Sequence, residues 1–189
     1  VSDWRDQAKM LDDDYRYHYA SLYDLISAAQ GKTEALIVAL DHITDVGNLG
    51  AICRSAEVVG ALGVLLPNRR SAQVNSAVFR TSAGAVEYLR VAQEANLHLA
   101  LRRLKAENFW IAAASEQAEQ NIWQAPLSGR LVLVLGAEDK GISRLVLEQC
   151  DFSCKLPQYG FTPSLNVAQA ATAIMYEWRR RQEVTKGAK

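Results

Sequence analysis

Four short apolar runs punctuate the chain, Ala35–Leu40, Gly63–Leu66, Phe109–Ala114 and Leu131–Leu135. Each is continuous rather than alternating, the pattern of a strand buried on both faces, as in a parallel sheet covered by helices. Helical patterns with start and stop signals lie between them. Asn48 suits the cap of a helix through Ile52, Ala56 and Val59 to Gly60, and Asn96 that of Leu97–Lys105; Ser143 precedes Leu145–Gln149, and Ser164 or Thr162 opens a long helix to Gln182. Strand and helix therefore alternate, which predicts an α/β domain with a mainly parallel sheet. The first 34 residues differ. Ser21-Leu22-Tyr23-Asp24 reads as a capping box with Asp in place of Glu or Gln, followed by a short helix that stops at Gly31, whereas Tyr15-Arg16-Tyr17-His18-Tyr19 has no clear period. The expected division is an arm or linker over 1–34 and a folded domain over 35–189.

A chain of 189 residues, 49% hydrophobic and 22% charged, is long enough for a buried core and is neither disordered nor fibrous. No apolar stretch approaches the roughly 20 residues needed to span a bilayer, and the stretch from Val1 to Asp14 is too acidic for a presequence, so a cytoplasmic location is expected. Cys53, Cys150 and Cys154 form no even-numbered framework and no zinc spacing, and the histidines His18, His42 and His98 are scattered. No metal is expected, and neither a metalloprotease motif nor a G-x-S-x-G elbow is present. The balance of 21 basic and 21 acidic residues hides an asymmetry, with −3 over residues 1–34 and +3 over the remainder. Arg54, Arg69, Arg70, Arg80 and Arg90 face only Glu57 and Glu87 within 50–90, a patch suited either to phosphate or to a solvated helix face.

In open parallel sheets ligands bind beyond the carboxyl ends of the strands, which directs attention to three segments. The first, Asp41 to Arg54, carries Asn48 and Arg54 on a helix rich in small residues; an isolated Asn and Arg would read more simply as a cap and a surface arginine. The second, Gly136-Ala137-Glu138-Asp139-Lys140-Gly141, is a glycine-bounded turn, but neither a dinucleotide fingerprint nor a Walker A loop. The third runs from Leu156-Pro157 through Ser164-Leu165-Asn166-Val167-Ala168, a proline-containing loop entering a helix with polar groups in its first turn.

Taken together, in this order and spacing across about 150 residues, the three segments resemble the motifs of the SpoU family of S-adenosylmethionine-dependent RNA ribose 2′-O-methyltransferases, of the SPOUT fold. Arg70-Ser71-Ala72-Gln73-Val74-Asn75 and Ser82-Ala83-Gly84-Ala85 look most like the branch that methylates a guanosine ribose in bacterial 23S ribosomal RNA. That branch usually carries an RNA-binding domain ahead of the catalytic one, which would make residues 1–34 a connector. Family members often have Pro-His before the first-motif Asn, where this chain has Val46-Gly47.

The resemblance implies helices on both faces of the sheet, a C-terminal trefoil knot holding the methyl donor, and a homodimer that builds each site from both chains. By match of motif it implies Asn48, Arg54, Glu138, Ser164 and Asn166 as the catalytic set. Ala113, Leu135, Gly136, Leu156, Pro157 and Leu165 would bind S-adenosylmethionine, and Arg54, Arg69, Arg70 and Arg80 would bind RNA. Arg54 has been proposed as general base in this family, but a guanidinium holds its proton with a pKa above about 12; gripping a phosphate and stabilising alkoxide charge is the more physical role. Glu138 would orient Arg54 or accept a proton. Transfer RNA is the alternative substrate, and a non-catalytic RNA-binding or ribosome-assembly module of the same fold the alternative class.

Overall fold

A computed structural model of the chain describes residues 3–11 and 15–187; Val1, Ser2 and Asp12–Asp14 of the expected arm lie outside the described residues. In chain order the elements are α1 (Trp4–Met10), α2 (Leu22–Ala28), β1 (Ala35–Asp41), α3 (Val46–Val58), β2 (Gly63–Pro67), α4 (Ser76–Thr81), β3 (Arg90–Glu94), α5 (Leu97–Ala106), β4 (Trp110–Ala114), β5 (Arg130–Gly136), α6 (Arg144–Leu147), β6 (Phe152–Cys154) and α7 (Val167–Gly187). The six strands form one parallel sheet in the order β3-β2-β1-β5-β4-β6.

The expected continuous runs are the four inner strands, and every residue of β1 is buried. Because side chains alternate across a strand, each inner strand serves two cores. Leu36, Val38 and Leu40 pack with Ile52, Cys53 and Ala56 of α3 and with Ile174 and Trp178 of α7. Ala35, Ile37 and Ala39 pack on the other side with Leu22 and Leu25 of α2, with Leu97, Leu101 and Leu104 of α5, and with Val146 of α6. Helices thus cover both faces.

Both sheet edges escape the run criterion for a physical reason. Only Val91 and Ala92 of β3 are buried, and β6 is three residues long, so neither produces an apolar run. The β3 edge is covered by the segment before α2: Ala20 bridges Ala92 in parallel and donates its amide to Val91 at 2.9 Å. Residues 15–34 are accordingly docked on the domain. The Tyr17 hydroxyl donates to the Leu89 carbonyl at 3.0 Å, the Tyr19 hydroxyl accepts from the Val74 amide at 2.8 Å, and Leu22 and Leu25 are buried. Burial pushes the Tyr17 phenol up to about 12. The expected capping box is present, with Ser21 and Asp24 exchanging side-chain and backbone bonds.

The connection 115–129 between β4 and β5 has no helix and is fastened at both ends. Its Ser115 and Ile122 amides donate to Cys154 and Lys155 beside β6. On the other side α7 holds it: Arg181 Nη2 donates to the Ile122 and Trp123 carbonyls at 2.9 and 2.7 Å, Trp178 Nε1 to the Gly129 carbonyl at 3.1 Å, and the Gly129 amide to Gln182 Oε1 at 3.2 Å.

Candidate functional site

After β3 the chain crosses back past β1, so β1 and β5 run side by side while their following segments depart in opposite directions. This is the topological switch point of the sheet, where open α/β proteins leave a crevice. Asp41 and Gly136, the last residues of β1 and β5, are register partners there.

Asn48 does not cap the helix that follows β1. The helix begins at Val46, and Asp45, in extended backbone, accepts the Asn48 amide on its carboxylate at 2.6 Å. Both residues are good caps, but Asp45 satisfies the amide three positions on, as a capping carboxylate should. The Asn48 side chain is thereby left for other work. Its Nδ2 donates to Glu138 Oε1 at 3.1 Å, and its Oδ1 accepts from Asn166 Nδ2 at 2.9 Å. Asn166 Nδ2 also donates to Glu138 Oε1, at 3.1 Å. A closed triangle thus joins three segments 28 to 118 residues apart. It borders a cleft of about 590 Å³ lined also by His42, Arg70 and the 137–141 turn.

The turn after β5 is held rigidly. A Cβ on Gly136 would lie 2.2 Å from the Gly141 carbonyl carbon and 2.3 Å from the Ile142 nitrogen, so only glycine fits. The Gly141 amide closes the turn onto the Ala137 carbonyl at 2.7 Å, with Gly141 itself in the left-handed region (φ 64°). Ser143 then donates its amide to Asp41 Oδ2 at 2.6 Å. Asp41 is buried, and its other oxygen lies 2.7 Å from His42 Nδ1, so this carboxylate fastens the turn and the half-exposed imidazole together. His42 (φ 61°) and Arg70 (φ 55°) hold left-handed backbone without being glycine, at a cost of about 1–2 kcal/mol each that marks the cleft wall as a constrained region.

The long helix opens later than the candidate caps Ser164 and Thr162. Asn166 caps its first turn, accepting the Ala168 amide on Oδ1 at 2.8 Å, because both of its side-chain atoms find partners there. The preceding segment 156–165 makes no backbone–backbone hydrogen bond among the described residues, and 158–166 is exposed. A loop whose amides and carbonyls pair with no other backbone group among the described residues, following β6 and beside the ends of β4 and β5, has backbone groups to offer an adenosyl group; of its carbonyls, that of Pro163 accepts from the Gln158 side chain. Ala113 and Leu135 are buried at those strand ends, Leu156 and Pro157 are half-buried, and Leu165 is exposed.

Other expected site residues lie apart from the triangle. Arg54 is exposed on α3, roughly 9 Å along the helix from Asn48 and about 120° around it, and does not line the cleft. Ser164 is exposed and outside the hydrogen-bonded set. Arg70 lines the cleft, Arg69 lines an adjoining one, and Arg80 is exposed on α4. Sequence reasoning missed Asp41, His42 and Asp45; the available signal was a pair of aspartates bracketing the turn after the first strand. Burial raises the Cys53 and Cys154 thiols to about 12 and about 11 and Cys150 to about 12, well away from nucleophilic use near neutrality. Among the described residues no cluster of three or more potential metal ligands occurs, and no helix is long and apolar enough to cross a membrane.

Comparison with known proteins points the same way as the geometry. Residues 35–176 match the SpoU rRNA Methylase family. The chain is 40% identical over 170 residues to the putative TrmH family tRNA/rRNA methyltransferase YacO of Bacillus subtilis, covering 89% of this chain and 68% of that one. It is 39% identical over 155 residues to the 23S rRNA (guanosine-2′-O-)-methyltransferase RlmB of Pseudomonas putida, covering 82% and 62%. Across four such curated relatives it spans 44% to 68% of their length. Among solved structures, the AdoMet-bound rRNA methyltransferase from Sinorhizobium meliloti superposes with a TM-score of 0.77 at 27% identity, over 88% of this chain and 62% of that one. The SpoU methyltransferase AviRb from Streptomyces viridochromogenes, in complex with the cofactor AdoMet, gives 0.76 at 27%, over 84% and 62%. With three motif segments meeting at the switch point of a parallel sheet and three quarters of its length matched, the chain belongs to the SpoU rRNA methylase family and has the SPOUT methyltransferase fold.

Proposed function

We propose that the chain transfers a methyl group from S-adenosylmethionine to the ribose 2′-hydroxyl of a nucleotide, a guanosine of 23S ribosomal RNA being the favoured target. The observation that carries this reading is the Asn48–Glu138–Asn166 triangle beside a loop that makes no backbone–backbone hydrogen bond among the described residues. When bound, S-adenosylmethionine supplies a methyl group on a sulfonium that is already a good leaving group. The protein's task is therefore to aim the 2′-oxygen and to take its proton. Asn48 and Asn166 hold the Glu138 carboxylate at a fixed place on the cleft wall, and Glu138, the triangle's one anionic acceptor, receives the proton. Gly136, Leu135 and Ala113 floor the donor site, with Leu156, Pro157 and Leu165 in the loop that closes over it. Ser164 lies in the same closing loop. Arg69, Arg70 and Arg80 contact RNA phosphates.

Arg54 enters by way of a second copy of the chain. In one copy it stands off the triangle, while Tyr159, Phe161 and Leu165 are exposed on the donor loop and Tyr176 on α7, an apolar surface suited to a homodimer. A partner's Arg54 would then grip the phosphate beside the target ribose and stabilise alkoxide charge. We also read α7 as threaded beneath the 115–129 connection to form a trefoil knot, a reading supported by the bonds of that connection to both β6 and α7. The role is carried out in the cytoplasm and requires no metal.

The test is methyl transfer from labelled S-adenosylmethionine to unmodified 23S ribosomal RNA and, separately, to transfer RNA, with mapping of the product nucleotide. A 2′-O-methylguanosine in the former supports the reading. Modification of transfer RNA alone redirects it to the substrate named for the A. aeolicus TrmH/SpoU tRNA modifying enzyme, a structural neighbour with a TM-score of 0.72 at 27% identity. No transfer to either and no binding of S-adenosylmethionine by calorimetry would favour a non-catalytic RNA-binding module.

A further inference from the structure

Beside the triangle's cleft lies a second one, of about 460 Å³, at the carboxyl ends of β1 and β2 and the start of α5. The two share His42, Arg70 and Ser143 as a common wall. Arg69, Arg70 and Arg144 line the second cleft together with His42 and His98, and Asp41 is its one acidic lining residue. Both Asp41 oxygens are engaged, by the Ser143 amide and His42 Nδ1, so the cleft's positive charge faces no free carboxylate of its own lining. Arg144 is paired only at 3.4 Å with Glu148, and both side chains are largely solvated, an ion pair weak enough to exchange for a phosphate. Asn96, at the head of α5, makes no side-chain capping bond, which leaves its amide for a ligand. The half-exposed Leu145 adds apolar surface against which a base can lie.

We infer that this second cleft seats the nucleotide adjacent to the methylated one, its phosphates held by Arg69, Arg70 and Arg144 and its base set against Leu145, with Asn96 and His98 at its edge. The inference rests on RNA methyl transfer at the triangle and names the single-stranded segment that this reaction requires. A polynucleotide fits better than a free nucleotide because the cleft is open and continuous with its neighbour through the His42–Arg70 wall.

The test measures binding of a short mixed-sequence single-stranded RNA to the full chain at salt concentrations from about 50 to about 200 mM, with Arg144→Ala, His98→Ala and, as control, Arg102→Ala on the exposed part of α5. Arg144→Ala is expected to weaken binding about tenfold at low salt and to reduce the salt slope by about 0.7, the value of one single-strand phosphate contact. His98→Ala weakens binding with a smaller change in slope, and the control matches wild type. In turnover with 23S ribosomal RNA the Arg144 variant raises KM with kcat nearly unchanged, while S-adenosylmethionine affinity by calorimetry is unaltered. Wild-type affinity and slope in both variants, or a loss confined to kcat, would overturn the inference. A wild-type chain that shows these slopes yet methylates no RNA would remove the methyl-transfer reading and leave the RNA subsite standing.

Discussion

Adding one methyl group at Gly136 separates the geometry of the turn from everything else in the site. In Gly136→Ala the new Cβ would sit 2.2 Å from a backbone carbon of Gly141 and 2.4 Å from its carbonyl oxygen, where ordinary contact begins near 3.4 Å. The turn must therefore retreat by about 1 Å or more, and no flexible side chain is available to absorb the shift. It is pinned at its far end by the 2.6 Å bond from Ser143 to buried Asp41 and across its middle by the 2.7 Å bond from Gly141 to Ala137. Overpacking of this kind costs about 1–3 kcal/mol, a fall in Tm of about 2–12 °C for a chain of this size. Displacement of the turn by about 1 Å also moves Glu138 off the triangle, and misplacement on that scale costs on the order of 100-fold in rate. Thermal melting and single-turnover methyl transfer read the two effects separately, and calorimetric titration with S-adenosylmethionine reads whether the displaced turn also weakens donor binding. A variant that melts within about one degree of wild type and transfers methyl at the wild-type rate would refute the claim that backbone rigidity at this turn positions the donor and Glu138.

Three further outcomes follow from the same contacts. Asn166→Asp retains an acceptor for the Ala168 amide but loses both amide donors and sets a second carboxylate beside Glu138, so activity falls on the order of 100-fold with the helix cap kept, whereas Asn166→Ala also loses about 1 kcal/mol of stability in chemical melts. If each site borrows Arg54 from its partner, mixing inactive Arg54→Ala and Asn166→Ala chains restores about a quarter of wild-type activity, since half the dimers each regain one whole site; no recovery on mixing would show that Arg54 acts within its own chain. Glu177 is buried on α7, and its hydrogen bonds to Arg180 and Arg181 hold its pKa below the usual carboxylate value, so its contribution is complete above about pH 4.3 and is lost as pH falls through the lowered folded value. Glu177→Gln is therefore expected to lower Tm at pH 7, by an amount equivalent to about 1–2 kcal/mol, and to show a shallower acid limb than wild type; parallel acid limbs would contradict the assignment.

The four inner strands were legible because strands buried on both faces leave an unbroken apolar run, and all four runs coincide with strands to within a residue or two. Strands β3 and β6 leave no such mark, since an edge strand buries few side chains and a three-residue strand has no room for a pattern. Helix α4 was equally silent, six residues long, although Asn75 does cap it through the Val78 amide. At the two ends of the site the difficulty was different. Asp45 and Asn48, like Ser164 and Asn166, are all capping residue types, and which of each pair caps depends on the backbone that the neighbouring strand or loop imposes. The structure gives the cap to Asp45 in one case and to Asn166 in the other. Only in the first does that choice release Asn48, the residue expected to cap, for the site.

Asp41 shows why the remainder of the site could not be read along the chain. As the polar end of an apolar run it looks like the start of a loop, yet it is almost wholly buried, and its value lies in contacts 1 and 102 residues away. Burying a carboxylate is tolerable only where donors meet it. Here one oxygen takes the Ser143 amide and the other takes the His42 ring, so a single side chain at the end of β1 couples the turn after β5 to the wall shared by both clefts. The pairing of Asp41 with Gly136 across β1 and β5 makes that coupling possible, because parallel register brings the two strand ends level at the one place where their following segments part. Sheet order, which no local pattern encodes, is thus what turns an aspartate, a glycine and a distant serine amide into one rigid element bordering the triangle.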